Sequence, residues 1–143
     1  MANALFDSGR GFFLDGSISW SGATIRIMFV DHADDTPVAA TDDYLNDIAT
    51  AARVPAGTDG TQTNHPQLTS PTTTGGVADA ADTTFTALTG DVSESLVIYK
   101  GTLTDTSSPL IAYIDTATGL PFTPNGGDAI IVYDSGANKI FKL

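Results

Sequence analysis

Three apolar runs in the second half of the chain decide the fold: LVIYK at residues 96–100, LIAYID at 110–115 and AIIVYD at 129–134. Each run is short and rich in Val, Ile and Tyr, which is typical of β-strands. The links between them contain turn-forming residues, including Pro121, Asn125 and Gly126. We therefore expect three successive strands that are antiparallel neighbours.

These strands carry apolar residues on both faces. Strict alternation puts Leu110, Ala112 and Ile114 on one face, and Ile111 and Tyr113 on the other. A half-exposed antiparallel strand would instead alternate apolar and polar residues. Leaving several aliphatic side chains in water would cost several kcal/mol of folding free energy, at ~25 cal/mol per Å² of apolar surface. The second face therefore needs a short helix, a folded-back loop or a neighbouring subunit, and we expect a homo-oligomer.

The first half has weaker signals. Residues 24–30, TIRIMFV, predict a strand, and residues 16–20 predict a strand that forms a hairpin with it. Helical spacing within residues 41–49 predicts one short helix. Residues 84–88 predict a further short β segment, and residues 138–143 a last strand or a docked tail.

The length of 143 residues indicates a single domain, 1–143. We expect an all-β fold, a β-sandwich or jelly-roll-like domain with one short helix. Residues 55–76 are rich in Thr, Gly and Pro and predict a long polar loop, solvent-facing and mobile, that contributes nothing to the core. Within it, residues 69–74 are the expected extended piece.

Charge and composition exclude several classes of partner. Six Lys and Arg stand against 17 acidic residues, which gives a net charge of −11. Such a chain is not suited to nucleic acid or an anionic membrane surface. Cys is absent, and no apolar run approaches the ~20 residues of a membrane span. All the acids but Glu94 are Asp, which favours turns, so we expect the acids to form turns on a folded surface.

Two Asp-Ser-Gly triplets, at residues 7–9 and 134–136, are the sharpest catalytic signal. In aspartic proteases such triplets supply two carboxylates that share a proton. The flap and the later apolar-apolar-Gly segment of a dimeric protease are missing, and Asp, Ser and Gly are ordinary turn residues. We therefore expect no enzyme activity and no cofactor.

An Asp-rich segment is the candidate metal site: Asp31, His32, Asp34 and Asp35, with Asp42, Asp43 and Asp47 nearby. Oxygen ligands of this kind suit Ca²⁺, but the twelve-residue calcium-loop pattern is absent, and we expect no metal. His32 and His65 fit no nucleophile or zinc spacing and are expected in surface loops.

Four aromatic residues offer a carbohydrate platform as an alternative: Phe12, Phe13, Trp20 and Tyr44. Aromatic residues are more typical of core or interface anchors, and we expect that role for these four.

Three segments carry a family resemblance: MANALFDSGRGFFLDGSISW at the start, ESLVIYKGT in the middle and LIAYIDTATGLPFTPNGGDAIIVYDSGANKIFKL at the end. Together they resemble small virion structural proteins of tailed bacteriophages. The resemblance implies a capsid decoration, or cement, protein: a trimeric β-sandwich on the outer capsid surface, bound to the major capsid protein. A tail, fibre or host-recognition module with carbohydrate binding is the alternative. No catalytic residues come with the family.

The N-terminal residues 1–13 are a candidate docking arm. Apolar and basic side chains for capsid or subunit contact are Leu5, Phe6, Arg10, Phe12 and Phe13. An ordinary first strand of the sandwich is an equally good interpretation of the same residues.

Overall fold

A computed structural model describes residues 3–143, which form nine strands and one α-helix. In chain order these are β1 (Ala4–Leu5), α1 (Asp7–Leu14), β2 (Ile25–Val30), β3 (Arg53–Val54), β4 (Val77–Ala78), β5 (Thr83–Phe85), β6 (Ser95–Lys100), β7 (Leu110–Ile114), β8 (Ala129–Ile131) and β9 (Phe141–Lys142). The all-β class with little helix is confirmed.

A five-stranded antiparallel sheet, in the order β1-β7-β6-β2-β3, is the centre of the fold. Two further sheets have two strands each, β4-β9 and β5-β8. The expectation of three successive neighbours is right for β6 and β7 but wrong for β8. The link after β7 pairs Phe122 with Ser93 and Gly127 with Leu88, and this carries β8 to β5 instead.

A β-bulge in β7 changes the expected division of its side chains. Ile98 lies opposite Ala112 but Tyr99 lies opposite Leu110, so Ile111 is an extra residue. Leu110 and Tyr113 therefore share one face, whereas Ile111 and Ala112 pack in the core on the other. The strict alternation assumed from the sequence is wrong at this strand.

The chain covers both apolar faces of the central sheet by itself. The two small sheets pack on one face, where Phe29 contacts Phe85 at a ring distance of 4.9 Å. Leu45, Ile48 and Ala52 cover the other face, against Met28 and the residues that share its side. A folded-back segment thus supplies the cover, and the central sheet gives no reason for a homo-oligomer.

The helix is present, but at a different place from the one expected. Residues 41–49 form only one 3-10 turn, Leu45–Asp47, because the Asp47 carboxylate accepts the backbone N–H groups of Asp43 and Tyr44 and ends the pattern at once. The α-helix is α1, Asp7–Leu14.

The strand and hairpin expected at residues 16–20 are wrong. Ser17 donates its N–H to the Asp15 carboxylate, and Gly22 and Ala23 donate to the Ser19 carbonyl, so the segment forms consecutive turns. Trp20 is nevertheless buried and packs edge-on against Phe141 at 5.1 Å. The expected last strand is present as β9.

The polar loop of residues 55–76 is mostly exposed, as expected, but the expectation that it contributes nothing to the core is wrong. Gln62, His65 and Leu68 are buried. Gln67 forms an antiparallel β-bridge with Arg26 of β2. Thr72, in the piece expected to be extended, forms another with Asp79. Internal hydrogen bonds allow the polar side chains of Gln62 and His65 to be buried despite the composition of the loop.

Close packing of α1 on β7 depends on one glycine. A Cβ at Gly9 would lie 2.6 Å from the Leu110 carbonyl oxygen, whereas a Cβ at Gly11 would meet nothing within 4 Å. We expect Gly9→Ala to lower the free energy of unfolding by about 1–3 kcal/mol through overpacking. Gly11→Ala, on the same helix, should raise it by about 0.5–1 kcal/mol. Urea unfolding of both variants measures this, and equal effects would contradict the close approach.

Among residues 3–143, no helix has both the length and the apolar character that crossing a membrane requires.

Candidate functional site

The free edge of β8 borders an open groove, called the β8 groove below. Two cavities make it up, one of about 370 Å³ and one of about 560 Å³. They are continuous, because both are lined by Leu96, Ala117, Ile131, Val132 and Asp134. Leu96 belongs to β6, so the central sheet forms the floor of the groove.

The walls of the β8 groove come from distant parts of the chain. β1 and β9 border the smaller cavity, on the side away from β8. The link of residues 117–122 borders the larger cavity, where Phe122 stacks on Phe29 at a ring distance of 5.1 Å. The groove therefore separates β8 from the neighbouring elements of the layer that covers the central sheet.

The backbone of β8 is paired on one side only. Ala129 and Ile131 lie opposite Phe85 and Thr83, and Tyr133 donates its N–H to the Asp82 carboxylate on the same side. Because backbone groups alternate along a strand, those of Ile130 and Val132 point to the open edge. In the described chain, neither backbone group of Val132 makes a hydrogen bond.

The outer side chains of this strand are apolar and exposed. Ile130 is 61% exposed and Val132 is 72% exposed. Exposed large apolar residues elsewhere in residues 3–143 are Leu14, Val38, Val92, Leu103 and Leu143. Ile130 and Val132 differ from these because they occupy adjacent outward positions on one strand edge, an arrangement that proteins usually protect or use for contact.

Charged groups at the β8 groove are few. Asp134 is exposed and has no hydrogen bond or ion pair within the described residues. Lys139 is paired with Asp79 at 3.3 Å, and Lys142 is exposed on β9 at the far wall. Tyr133 is a neutral wall residue, since burial raises its pKa to about 12 and its hydroxyl contacts the Thr83 hydroxyl.

The contact residues expected near the N-terminus have different environments. Phe6 is fully buried in the core beside Tyr113, so it is not available for contact on the folded surface. Leu5 of β1 pairs with Ala112 of β7 and borders the β8 groove. From residue 3 onward this segment forms β1 and then α1, and Met1 and Ala2 lie outside the described residues. Its role as a docking arm stays a prediction.

The other three residues lie on α1. Arg10 is exposed and forms an ion pair with Asp7. Phe12 contacts Tyr44 at 5.5 Å, and Phe13 contacts Phe141 at 5.9 Å. A contact role for Leu5, Arg10, Phe12 and Phe13 stays a prediction.

The aromatic residues considered as a sugar platform pack against other rings of the chain, as expected of anchors. Trp20 is buried and donates its indole N–H to the Asp79 carbonyl. All large apolar side chains that are exposed in residues 3–143 are aliphatic. Phe12, Phe13 and Tyr44 are half-buried, and a sugar-binding role for these rings stays a prediction.

A buried ion pair ties the polar loop to the cover of the second face. Arg53 is almost fully buried and lies 2.6 Å from the Asp105 carboxylate. Its guanidinium also donates to the carbonyls of Leu45, Ile48 and Gly57. Paired and hydrogen-bonded in this way, the buried charge is satisfied and its role is structural.

The same buried region contains Gln62 and His65, which sequence reasoning missed. Gln62 donates to the Asp105 carboxylate at 2.9 Å and accepts the N–H of Leu103 at 2.9 Å. His65 was expected in a surface loop, yet it is fully buried. No local signal marks either residue, because the partners Tyr99, Leu103 and Asp105 lie 34 to 43 residues away in sequence.

The tautomer of His65 follows from its partners. Nε2 lies 2.8 Å from the Pro55 carbonyl, which can only accept, so Nε2 carries the proton. Nδ1 then accepts from the Tyr99 hydroxyl at 2.6 Å. Burial lowers the pKa of His65 to about 4 and raises the pKa of Tyr99, so both groups are neutral.

The candidate metal residues are mostly occupied with turns, as expected of Asp in this chain. Asp31 and Asp34 lie with Asp91 within 4.8 Å of one another, without His32 or Asp35. The His32 ring contacts the Ser95 hydroxyl, and Asp35 accepts the N–H of Ala49. Asp34 and Asp91 are exposed, whereas Asp31 is buried and accepts the N–H of Ala33. The proximity of the three carboxylates alone does not make a metal centre.

The two Asp-Ser-Gly triplets lie in unrelated elements. Asp7 is in the first turn of α1 and pairs with Arg10, whereas Asp134 follows β8 at the β8 groove. Within residues 3–143 no hydrogen bond joins the two carboxylates. The described structure therefore does not assemble them into the proton-sharing pair that the protease mechanism needs.

No protein-family model and no curated protein matches this chain.

Proposed function

We propose that this chain is a non-enzymatic structural protein of a tailed-phage virion, a trimeric decoration protein that binds the outer capsid surface and stabilises it. The proposed partner is the major capsid protein. The observation that carries the proposal is the β8 groove, an open strand edge with exposed Ile130 and Val132 on a chain whose central sheet is otherwise covered.

Two properties of the chain support this role. The sequence resembles virion proteins of this kind over most of its length outside residues 55–76. Its net charge of −11 suits an outward position on a particle, because an acidic protein does not compete for packaged DNA.

The function follows from contacts alone. Three subunits that engage three lattice sites raise avidity far above the affinity of one subunit, without any new chemistry. In this proposal, surfaces other than the covered central sheet hold the trimer together, and the β8 groove faces the capsid. Separating the subunits should therefore abolish binding to particles.

Particles provide the test. We expect virions that lack this protein to lose their genome at a lower temperature, and the purified protein to restore the original temperature when added back. Thermal release of DNA measured with an intercalating dye reports both. Unchanged release would contradict the proposal, and so would antibody labelling of the tail instead of the capsid.

A further inference from the structure

We propose that β8 binds an extended apolar segment of the partner protein by strand addition, with basic residues at both ends of that segment. This inference rests on the proposed function, since it specifies the chemistry of the capsid segment that the β8 groove receives. It makes the two-stranded sheet β5-β8 three-stranded in the complex.

The backbone of β8 supplies the hydrogen bonds. The N–H and C=O groups of Ile130 and Val132 point away from β5, which leaves four groups along the open edge. An added strand pairs with such groups, while its alternate side chains enter pockets that determine specificity. Here the inward side chains meet the apolar floor at Leu96 and Ile114.

Charges at the two ends of β8 select the occupant. Both ends of the strand carry an exposed carboxylate: Asp128 precedes β8 and accepts the N–H of Ala87 with one oxygen, and Asp134 follows β8 and lines the groove. Oppositely charged residues across a strand pair stabilise the pairing, whereas like charges destabilise it. A segment with Lys or Arg at each end therefore fits this edge.

A second copy of this chain fits poorly at the same edge. Two β8 strands paired antiparallel about Ile131 would place Asp128 of each copy opposite Asp134 of the other. Like charges directly opposite one another destabilise a strand pair. The observations favour a different protein as the occupant.

Two synthetic peptides test the strand and its charges. One alternates valine and threonine with a lysine at each end, and its counterpart has a glutamate at each end. We expect the lysine peptide to slow amide hydrogen exchange at Ile130 and Val132, as measured by NMR, and to bind about tenfold more tightly than the glutamate peptide. Unchanged exchange at these two amides, or equal affinity of the peptides, would overturn the proposal.

A charge reversal provides the matched variant. Asp134→Lys should abolish the preference, because each peptide then meets one like charge and one opposite charge, at residues 134 and 128. Asp43→Lys is the control, since Asp43 is exposed, its side chain makes no hydrogen bond within the described residues, and it lies beside the segment that covers the opposite face. Equal effects of the two reversals would reject a specific role for Asp134. One alternative result is that the free protein sediments as an oligomer in which the amides of Ile130 and Val132 are already protected without any peptide. That result would identify a second copy as the occupant and reject the proposal.

Particle binding separates this inference from the proposed function. The double variant Ile130→Thr with Val132→Thr should lose both the lysine peptide and the capsid, whereas Val92→Thr should keep both. If the double variant loses the peptide but binds particles normally, strand addition at β8 is not the capsid contact, and the inference fails alone. If the unchanged protein binds the peptide but not particles, the proposed function fails. Binding of an extended, basic-ended segment along β8 is then still supported.

Discussion

Arg53→Met is expected to lower the free energy of unfolding by about 3–5 kcal/mol, the loss typical of breaking a buried ion pair by removing one partner. The side chain of Arg53 is 1% exposed and that of Asp105 is 10% exposed, so water cannot replace the lost guanidinium. Without it, Asp105 keeps one side-chain partner, Gln62. The carbonyls of Ile48 and Gly57 lose their donor, and the Leu45 carbonyl keeps only the N–H of Ile48. Chemical denaturation at neutral pH measures the loss.

A surface arginine gives the matched control. Arg10→Met removes the exposed pair with Asp7, and such pairs contribute about 0–1 kcal/mol. In the Arg53→Met background, Asp105→Leu should recover part of the lost stability, because no unpaired charge then stays buried. Losses of the same size for Arg53→Met and Arg10→Met would show that the buried pair does not hold the loop to the cover.

The partners of Arg53 explain why the path of residues 41–76 could not be predicted. Its sequence neighbours, Ala52 and Val54, give no sign that an arginine between them is buried. Its stabilising contacts come from carbonyls within eight residues and from Asp105, 52 residues away. Periodicity reports only the spacing of apolar residues. It therefore indicated a helix within residues 41–49 and a polar loop at residues 55–76. Hydrogen bonds to a buried cation, which periodicity does not detect, determine the conformation of this part of the chain.

Three strands of the central sheet, in contrast, could be predicted from the sequence. β2, β6 and β7 could be predicted because each is a short, mainly apolar run with buried residues on both faces. The division of side chains within β7 was not, since a bulge adds one residue without any change in composition. Burial can be inferred from such runs, but register depends on the partner strand.

The candidate site was missed for a related reason. LIAYID and AIIVYD have nearly the same composition, yet β7 is buried between β1 and β6 while β8 has one free edge. The difference arises from the link of residues 115–128, which carries β8 away from β7. An apolar strand with an exposed outer face was therefore foreseeable, but which strand it is depends on topology.

His65 should make the fold sensitive to acid. Its pKa in the folded chain is about 4, against an ordinary value of 6.5, because burial disfavours the charged ring. Between these two pH values the unfolded chain binds a proton that the folded chain does not, so stability falls as the pH falls. The stabilisation is complete above pH 6.5 and is lost on the way down to pH 4. At about 1.4 kcal/mol per pKa unit, this amounts to about 3 kcal/mol.

His65→Gln isolates this contribution, because glutamine can still donate to the Pro55 carbonyl but has no proton to take up. At pH 7 the variant should be less stable, since the Tyr99 hydroxyl loses its acceptor. From pH 7 to pH 4, however, the unchanged protein should lose about 3 kcal/mol more than the variant, as measured by urea unfolding. The carboxylates titrate in the same way in both proteins, so their effect cancels in the difference between the two stability losses. Equal losses, or an NMR titration of His65 with a midpoint near 6.5, would mean that the ring is solvated and that the polar loop does not close over it.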